Sequence, residues 1–394
     1  MRSKFTIPLS YNPIDATALA RKLEEYSHRH HNDLVDDFER KIRELTGAKY
    51  AVGLNSGTAA IHLALKALGV QEKDRVIVST FTYVASVNPI LYLNAEPVLV
   101  DSEGTGWNMD PELLEQAILS CIKEGKKPKV IIVVHTYGMP AKMKEILEIA
   151  RRYEIAVLED AAEAIGSTYQ SKSVGALGDI GILSFNNNKT LTTFGGGMLL
   201  TNDKSYADQA YLWSTHSRKD LPHYEHDELG FNYRLGPLNA AIGMVGLERV
   251  KENVLARRKI FDTYASSLGT IPGVDWQRET GDSVSNRWIT CLLFQNLRAS
   301  FAPLPAPRLR QTGPRLRGRT NLEKIRTVLD QQGIETRPLW KPMHMQPLFL
   351  KCKSFLNGTS QRLFEQGVCL PSGNDLTPEN IQEIIEKIKM VKEE

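Results

Sequence analysis

An isolated lysine, Lys189, lies in the stretch SFNNNKTLTTFGGGM at residues 184–198. Lysines on surface helices usually have acidic residues at helical spacing, but Ser184, the asparagines at 186–188 and Thr190 are neutral. A lysine amine becomes a nucleophile, or condenses with a carbonyl, when its surroundings do not fix it as an ammonium ion. We therefore predict that Lys189 is a catalytic amine without a fixed counter-ion, and that the glycines behind it allow close backbone approach.

A second signal is NSGTAA at 55–60, which lies where a predicted strand passes into a helix. Ser56, Gly57 and Thr58 would place backbone N–H groups and hydroxyls at a helix N-terminus, which is a geometry that binds phosphate. A simple N-cap by Ser56 explains the same residues. No GxGxxG or GxxxxGK[ST] motif occurs in the chain, which argues against a dinucleotide or a P-loop nucleotide.

The third signal is IAVLEDAAEAIG, where a hydrophobic strand ends on Glu159 and Asp160. Carboxylates at the carboxyl end of a parallel strand lie at the sheet edge where ligands bind, although Asp160 would serve equally as a helix N-cap. Glu163 follows one turn later. A phosphate site, a strand-end aspartate and an isolated lysine, in that order, are the parts that pyridoxal 5′-phosphate requires.

Alternating strands and helices are predicted to position these residues. Short apolar runs separated by amphipathic helical patterns indicate an α/β unit with a buried, largely parallel sheet; the runs are 49–54, 75–79, 96–101, 129–135 and 155–160. Residues 237–267 carry helical spacing throughout and predict one long helix leading into a second unit. We predict a large domain at 1–249 and a small C-terminal domain at 250–394.

The segment 298–320 differs from the rest of the chain, because it holds six arginines and four prolines and no acidic residue. It fits a proline-stiffened solvated loop, a basic arm for RNA or a membrane, or a locally altered reading frame. The net charge of the whole chain is only +3, so we predict no nucleic-acid partner.

Composition indicates a soluble, cytoplasmic protein. The four cysteines form no CxxC pair, the N-terminus carries no apolar signal core, and no run is long enough to span a bilayer. HRHH at 28–31 has no further ligand nearby, so we predict no metal site.

The chain resembles the DegT/DnrJ/EryC1/StrS sugar aminotransferases, which are fold type I pyridoxal-phosphate enzymes. The resemblance is carried by NSGTAAIHLAL, FTYVASVNPI, EDAAEAIGS, GDIGILSFNNNKTLTTFGGGM and GFNYRLGPLNAAIG. It implies a mostly parallel seven-stranded sheet in the large domain, a smaller α+β domain and an obligatory homodimer with a shared site. The implied cofactor contacts are Gly57, Thr58 and Ser184 at the phosphate, Tyr83 stacking on the ring, Asp160 at the ring nitrogen, Glu163 near the 3-hydroxyl, Lys189 as the Schiff-base lysine, and Asn232 at the phosphate of the neighbouring subunit.

Three further motifs resemble the subgroup that acts at C4 of UDP-linked 4-keto sugars: SNRWIT, ETRPLWKPMHMQ and NGTSQRLFEQGVCLPSG. Arg287, Arg337 and His344 would then face the substrate, with Arg218 a further candidate, since a guanidinium matches phosphate oxygens. Surface salt bridging is the alternative for each arginine. Many family members carry Gly-Glu-Gly-Gly after the lysine, whereas this chain has Phe194 followed by three glycines.

The predicted reaction is a two-stage transamination from L-glutamate to C4 of a UDP-linked 4-keto-6-deoxy-N-acetylhexosamine, with pyridoxamine 5′-phosphate between the stages. The alternatives are a dTDP-linked or C3-keto substrate and a non-catalytic regulator of the same fold. The family's dehydratases carry histidine at the lysine position, so Lys189 argues against that activity.

Overall fold

The computed structural model describes residues 5–30, 32–294 and 321–393. The Arg/Pro-rich segment 298–320 lies outside these ranges. The described residues form the following strands and helices. The strands are β1 (Tyr50–Leu54), β2 (Arg75–Ser79), β3 (Glu96–Val100), β4 (Val130–Val134), β5 (Ala156–Asp160), β6 (Thr168–Tyr169), β7 (Lys172–Ser173), β8 (Ile180–Ser184), β9 (Gly197–Thr201), β10 (Val274–Trp276), β11 (Ser283–Val284), β12 (Thr290–Phe294), β13 (Arg337–Pro338), β14 (Lys353–Phe355) and β15 (Gly367–Leu370). The helices are α1 (Ala16–Glu25), α2 (Asn32–Thr46), α3 (Gly57–Ala67), α4 (Asn88–Tyr92), α5 (Pro111–Lys123), α6 (Met143–Arg152), α7 (Lys204–Ser214), α8 (Pro237–Glu248), α9 (Val250–Leu268), α10 (Asn321–Gln331), α11 (Thr359–Gln366) and α12 (Pro378–Glu393).

The predicted α/β architecture is confirmed. Strands β1, β9, β8, β5, β4, β2, β3 and β14 form one sheet in that order, and all neighbours are parallel except β9, which is antiparallel to both β1 and β8. The strands are short runs of apolar residues; β4, for example, reads VIIVV and is buried along its whole length. Helices cover both faces, which explains why the runs do not alternate in polarity.

Two details differ from the sequence prediction. The sheet has an eighth strand, β14, which comes from the C-terminal part of the chain and pairs in parallel with β3. Strand β14 provides hydrogen-bond partners for backbone groups of β3, which would otherwise be an edge strand. The three residues of β14 are too few to show a periodic pattern in the sequence. The predicted long helix at 237–267 is two helices, because Arg249 leaves the helical conformation at φ −108° and ψ 0°.

A second sheet is antiparallel and contains β10, β12, β15 and β13 in that order. Helices α9, α10 and α12 pack on it around a separate hydrophobic core that also includes Ile7 from the start of the chain. The domain boundary between 249 and 250 stays a prediction. Within the described residues, no helix is both long enough and apolar enough to cross a bilayer.

Candidate active site

Three of the predicted site residues lie at one edge of the large sheet. Asp160 is the last residue of β5 and Ser184 the last residue of β8, and these strands are parallel neighbours with Asp160 opposite Ile182. Lys189 follows in the turns between β8 and β9. The carboxyl ends of parallel strands are where α/β proteins bind ligands, so the fold places these groups at a ligand-binding edge.

Asp160 is held at this edge by two donors. Its side chain is 4% exposed, and it accepts a hydrogen bond from the Ser86 hydroxyl at 2.7 Å and another from the backbone N–H of Ala162 at 3.1 Å. No helix begins at Asp160, since residues 161–166 form turns, so the alternative of a helix N-cap is wrong. Ser86 ends the short 3₁₀ helix Val84–Ser86, and Tyr83, directly before it, is 60% exposed.

The prediction that Lys189 lacks a fixed counter-ion is wrong. Its Nζ lies 3.0 Å from Oε1 of Glu163, and 4.1 Å from the centre of the Trp288 ring. Glu163 is also bonded through Oε2, which accepts the backbone N–H of Tyr137 at 2.9 Å. The neighbours of Lys189 in sequence are neutral as predicted, but the turn after β5 brings a carboxylate from 26 positions away.

Burial of Glu163 gives it an unusual protonation behaviour. Desolvation raises the pKa of Glu163 from 4.5 to about 7, although the Lys189 ammonium and the bond from Tyr137 act in the opposite direction. Glu163 therefore exchanges its proton near neutral pH, next to the amine that the reaction requires.

A pH dependence of stability follows from this pKa. Between pH 4.5 and 7 the folded protein binds more protons at Glu163 than the unfolded chain, so this contribution to stability is complete below 4.5 and is lost as the pH rises through 7. We expect the free energy of unfolding of the wild type to fall, relative to Glu163→Gln, by about 2–3 kcal/mol between pH 5 and 8, at about 1.36 kcal/mol per pH unit. Urea unfolding of the cofactor-free proteins measures this, and a constant difference between the two proteins across that range would contradict it.

The N-terminus of α3 meets two other segments at the same edge. Ser56 is the N-cap, and its hydroxyl accepts the backbone N–H of Ala59 at 3.1 Å. Gly57 begins the helix, and a Cβ on it would lie 3.0 Å from Cβ of Ser184. The N-cap interpretation is thus correct for Ser56, while Gly57, Thr58 and Ser184 converge at a helix N-terminus suited to phosphate.

The triple glycine completes this cradle. A Cβ on Gly197 would lie 2.5 Å from the carbonyl carbon and oxygen of Ser56 and 2.6 Å from the backbone nitrogen of Gly57. Gly196 has a φ of +153°, whereas a Cβ on Gly195 would meet nothing within 4 Å. Only the last of the three glycines is needed for the close approach to α3.

We expect Gly197→Ala to destabilise the protein by about 3 kcal/mol, at the upper end of overpacking costs, because the contact is with backbone that no side-chain rotation relieves. The same variant should lose affinity for the cofactor phosphate. Gly195→Ala is the matched control and should change neither property. Thermal unfolding and cofactor titration measure both effects, and equal behaviour of the two variants would contradict the prediction.

The residues gathered at this edge fit pyridoxal 5′-phosphate. The start of α3 with Gly57, Thr58 and Ser184 suits the phosphate, and the buried Asp160 carboxylate suits a protonated ring nitrogen. Lys189 supplies the amine and the exposed Tyr83 ring supplies a stacking surface. Gly57 and Gly197 let the start of α3, the end of β8 and the start of β9 approach one another closely at this point.

His344 also reaches this edge. Thr80, directly after β2, bonds to Nδ1 of His344 at 2.9 Å, and its hydroxyl oxygen accepts the backbone N–H of His344 at 3.1 Å. Half-burial lowers the pKa of His344. A neutral imidazole beside the strand ends is compatible with the predicted contact to substrate.

The predicted substrate-facing role of Arg287 is not supported by its surroundings. The residue is 8% exposed, and its guanidinium donates to the carbonyl of Gln277 at 2.8 Å and lies 3.7 Å from the Phe261 ring centre. Glu279 is 3.9 Å away. Arg337 is exposed and paired with Glu335 at 2.7 Å, as the salt-bridge alternative expects.

Asn232 and Arg218 lie together in a surface groove of about 800 Å³. Of the described residues lining this groove, none is Lys189, Asp160 or Glu163. The backbone carbonyl of Asn232 accepts a hydrogen bond from the side-chain amide of Asn55 at 3.1 Å.

Sequence reasoning missed two aromatic residues at the site. Tyr137 follows β4 at the same edge as Asp160, and its ring is sandwiched between Trp340, at a centroid distance of 4.4 Å, and Trp288, at 6.2 Å. The position of Tyr137 after a parallel strand would have indicated it. Trp288 stands next to Arg287 in SNRWIT, and only the fold shows that it contacts Lys189.

Comparisons with known proteins cover both units of the chain. The sequence model of the DegT/DnrJ/EryC1/StrS aminotransferase family matches residues 15–303 and 310–389. EpsN of Bacillus subtilis (strain 168), assigned as a pyridoxal phosphate-dependent aminotransferase, is 41% identical over 357 residues, which are 90% of this chain and 86% of EpsN. GDP-perosamine synthase of Escherichia coli O157:H7 is 34% identical over 388 residues, covering 96% of this chain and 98% of the synthase. A crystal structure of a DegT DnrJ EryC1 StrS aminotransferase from Brucella abortus superposes with a TM-score of 0.83 at 26% identity and covers 95% of each chain.

Proposed function

The chain belongs to the DegT/DnrJ/EryC1/StrS aminotransferase family as a pyridoxal phosphate-dependent sugar aminotransferase, and we propose that it moves an amino group from L-glutamate to C4 of a nucleotide-linked keto sugar. The observation that carries the proposal is the meeting of Lys189, Glu163 and Asp160 at the sheet edge beside the N-terminus of α3. This set provides an amine, a proton acceptor, a carboxylate for a ring nitrogen and a phosphate cradle.

The chemistry divides between the cofactor and the chain. Bound pyridoxal 5′-phosphate supplies a carbonyl that condenses with amines and a ring that withdraws electrons. The start of α3 and Ser184 would bind its phosphate, Tyr83 would pack on its ring, and Asp160 would keep its ring nitrogen protonated.

Lys189 performs the proton transfers. In the first stage its Nζ would take the proton from the α-carbon of glutamate and pass it to the bound cofactor, and in the second it would take a proton back from the cofactor and deliver it to C4 of the sugar, acting as general base and general acid in each stage. Glu163 holds Nζ at 3.0 Å, and its raised pKa lets it accept or return a proton while Lys189 changes charge. Amino donor and keto sugar use the site in turn, so ping-pong kinetics are expected.

For the sugar we propose a UDP-linked 4-keto-6-deoxy-N-acetylhexosamine, giving a 4-amino sugar of the bacillosamine type. The C-terminal motifs around Trp288, Trp340 and His344 support this choice, together with the position of His344 at the sheet edge. A GDP-linked 4-keto sugar is the second candidate, because a GDP-perosamine synthase aligns over nearly the whole chain.

We further propose that two copies share each site. The family resemblance implies that Asn232 reaches the phosphate of the neighbouring subunit. In support, the groove that holds Asn232 is lined, among the described residues, by none of Lys189, Asp160 and Glu163. Arg218 would approach the substrate from the same side. Equilibrium sedimentation tests this, and a fully active monomer would overturn it.

The deciding experiment incubates the purified, cofactor-loaded protein with L-glutamate and a panel of UDP-, GDP- and dTDP-linked 4-keto and 3-keto sugars. Mass spectrometry then shows which sugar exchanges its oxygen for an NH₂ group. Turnover of the UDP-linked 4-keto sugar above the others supports the proposal, and preference for a GDP-linked sugar supports the second candidate. Cofactor binding with no amine transfer to any sugar would instead indicate a non-catalytic regulator.

A further inference from the structure

A wholly buried arginine, Arg257 on α9, lies behind the active site. Its guanidinium donates to the carbonyls of Trp288 at 2.5 Å and Ser372 at 2.9 Å, to the hydroxyl of Ser10 at 3.2 Å and to the side-chain oxygen of Asn12 at 3.0 Å. A buried charge is costly unless its surroundings are built to hold it. Neutral oxygens from three separate chain segments accept its N–H groups, and the Asp375 carboxylate adds a favourable charge interaction. So many partners for one buried side chain point to a role that outweighs the cost.

These partners of Arg257 lead directly to the catalytic lysine. The Ser10 hydroxyl donates to the carbonyl of Asn188 at 2.9 Å, and the Asn12 amide donates to the carbonyl of Lys189. The Trp288 indole N–H also donates to the Asn188 carbonyl, at 2.7 Å. The carbonyls of Asn188 and Lys189 belong to the peptide groups before and after the Lys189 α-carbon, so fixing both of them fixes the direction of its side chain.

Another partner of Arg257, Trp288, contacts the Lys189 amine itself. The Trp288 ring centre lies 4.1 Å from Nζ of Lys189, within the range of a cation–π contact. Arg257 bonds to the backbone carbonyl of this same tryptophan. One side chain is therefore linked, through one intermediate residue in each case, to both peptide groups of Lys189 and to the ring beneath its amine.

We propose that Arg257 is a positioning residue that sets where the Lys189 amine stands, acting through Ser10, Asn12 and Trp288. The proposal rests on the proposed role of Lys189 in proton transfer. Arg257 itself contacts neither Lys189 nor the sheet edge. Its effect on the reaction is geometric, because proton transfer between heavy atoms falls steeply as they move out of hydrogen-bond reach.

The first test is Arg257→Lys in the cofactor-loaded enzyme. Lysine keeps the charge but lacks the planar fork that reaches four oxygens. We expect kcat to fall about 10–100-fold, the scale of an ångström-sized misplacement, while KM for glutamate and for the keto sugar stays within about twofold. The isotope effect on kcat with α-deuterated glutamate should increase, because the proton transfer becomes more rate-limiting.

A second variant and a matched control keep the test independent of folding. Asn12→Ala removes the link to the Lys189 carbonyl without a buried charge change and should lower kcat about 10-fold, the size expected for one such hydrogen bond. Arg258→Lys is the control: Arg258 lies beside Arg257 on α9, but bonds to Glu279 at 2.5 Å and to the carbonyl of Ser285 at 2.6 Å. It should keep the wild-type kcat and isotope effect.

A measurement without cofactor separates this proposal from the proposed function. The rate at which Lys189 reacts with an N-hydroxysuccinimide ester, relative to the exposed Lys126, should change in Arg257→Lys and Asn12→Ala and stay constant in Arg258→Lys. An unchanged labelling ratio, or a loss of activity that only follows the fraction of folded protein, would overturn the positioning role. Failure of the wild type to transfer an amine would instead overturn the proposed function and leave the labelling result intact.

Discussion

Lys189→Ala is expected to abolish amine transfer, lowering turnover by at least about 10⁴-fold. The variant loses the amine proposed to condense with the cofactor and to move the proton, and general acid–base catalysis alone contributes about 10²–10⁴-fold. Borohydride reduction followed by peptide mass spectrometry should attach the cofactor to Lys189 in the wild type and to no residue of 184–198 in the variant. Turnover is followed by the mass of the amino sugar.

Lys126→Ala is a suitable control for this variant. Lys126 is a half-exposed lysine that also pairs with a glutamate, Glu96, at 2.9 Å, and it lies at the opposite end of the sheet strands. It should retain wild-type turnover and the same attachment at Lys189. If Lys189→Ala still aminated a keto sugar at the expense of glutamate, the catalytic role of Lys189 would be wrong.

Asp160→Asn is expected to reduce kcat by about 10²–10³-fold, the scale seen when one preorganised charged contact at a reacting group is removed. The amide has almost the shape of the carboxylate and can still accept the Ser86 hydroxyl. It does not favour a protonated ring nitrogen, so the ring withdraws electrons less effectively. Steady-state kinetics with glutamate and titration of cofactor binding measure the two consequences.

Glu159, the residue before Asp160 in β5, provides the control that distinguishes a loss of catalysis from a loss of stability. Glu159 points away from Asp160 along the strand and accepts bonds from His135 at 2.9 Å and from the backbone N–H groups of Leu177 and Gly178 at 2.6 Å. Although burial raises the pKa of Glu159, His135 and the backbone N–H groups of Gly175 and Gly178 lower it overall. Glu159→Gln should therefore destabilise the protein yet keep the turnover of the molecules that remain folded, and an equal loss of kcat in both variants would refute the assignment of Asp160.

The order of motifs along the chain predicted that Asp160 and Ser184 lie at one sheet edge, and tertiary packing decided which other side chains lie beside Lys189. Asp160 and Ser184 could be placed because parallel strands end at a common edge, which is a rule that acts over single elements. The Glu163 partner of Lys189 depends on the turn after β5, where a helix was expected. Trp288 depends on how the second unit packs on the first, and no local pattern contains that information.

Individual residues show where local patterns mislead. The resemblance of SNRWIT to the UDP-sugar subgroup implies that Arg287 faces the substrate, whereas its guanidinium donates to the Gln277 carbonyl and lies over the Phe261 ring. The break at Arg249 has no proline to mark it and its nearest glycine, Gly246, lies within α8, so helical spacing continues across it. Strand β14 is shorter than any periodicity can reveal.

The hydrogen-bond network that joins Arg257 to the Lys189 segment also bears on how the chain folds. Its members come from residues 10–12, 188–189, 257, 288 and 372, so hundreds of positions separate the outermost of them along the chain. Closing such long loops is slow compared with forming helices and neighbouring strands. We therefore expect the lysine loop to acquire its geometry late in folding, after the hydrophobic cores have formed. Binding of pyridoxal phosphate would then require the whole chain to have folded. During refolding, the recovery of cofactor absorbance should lag behind the recovery of helix content.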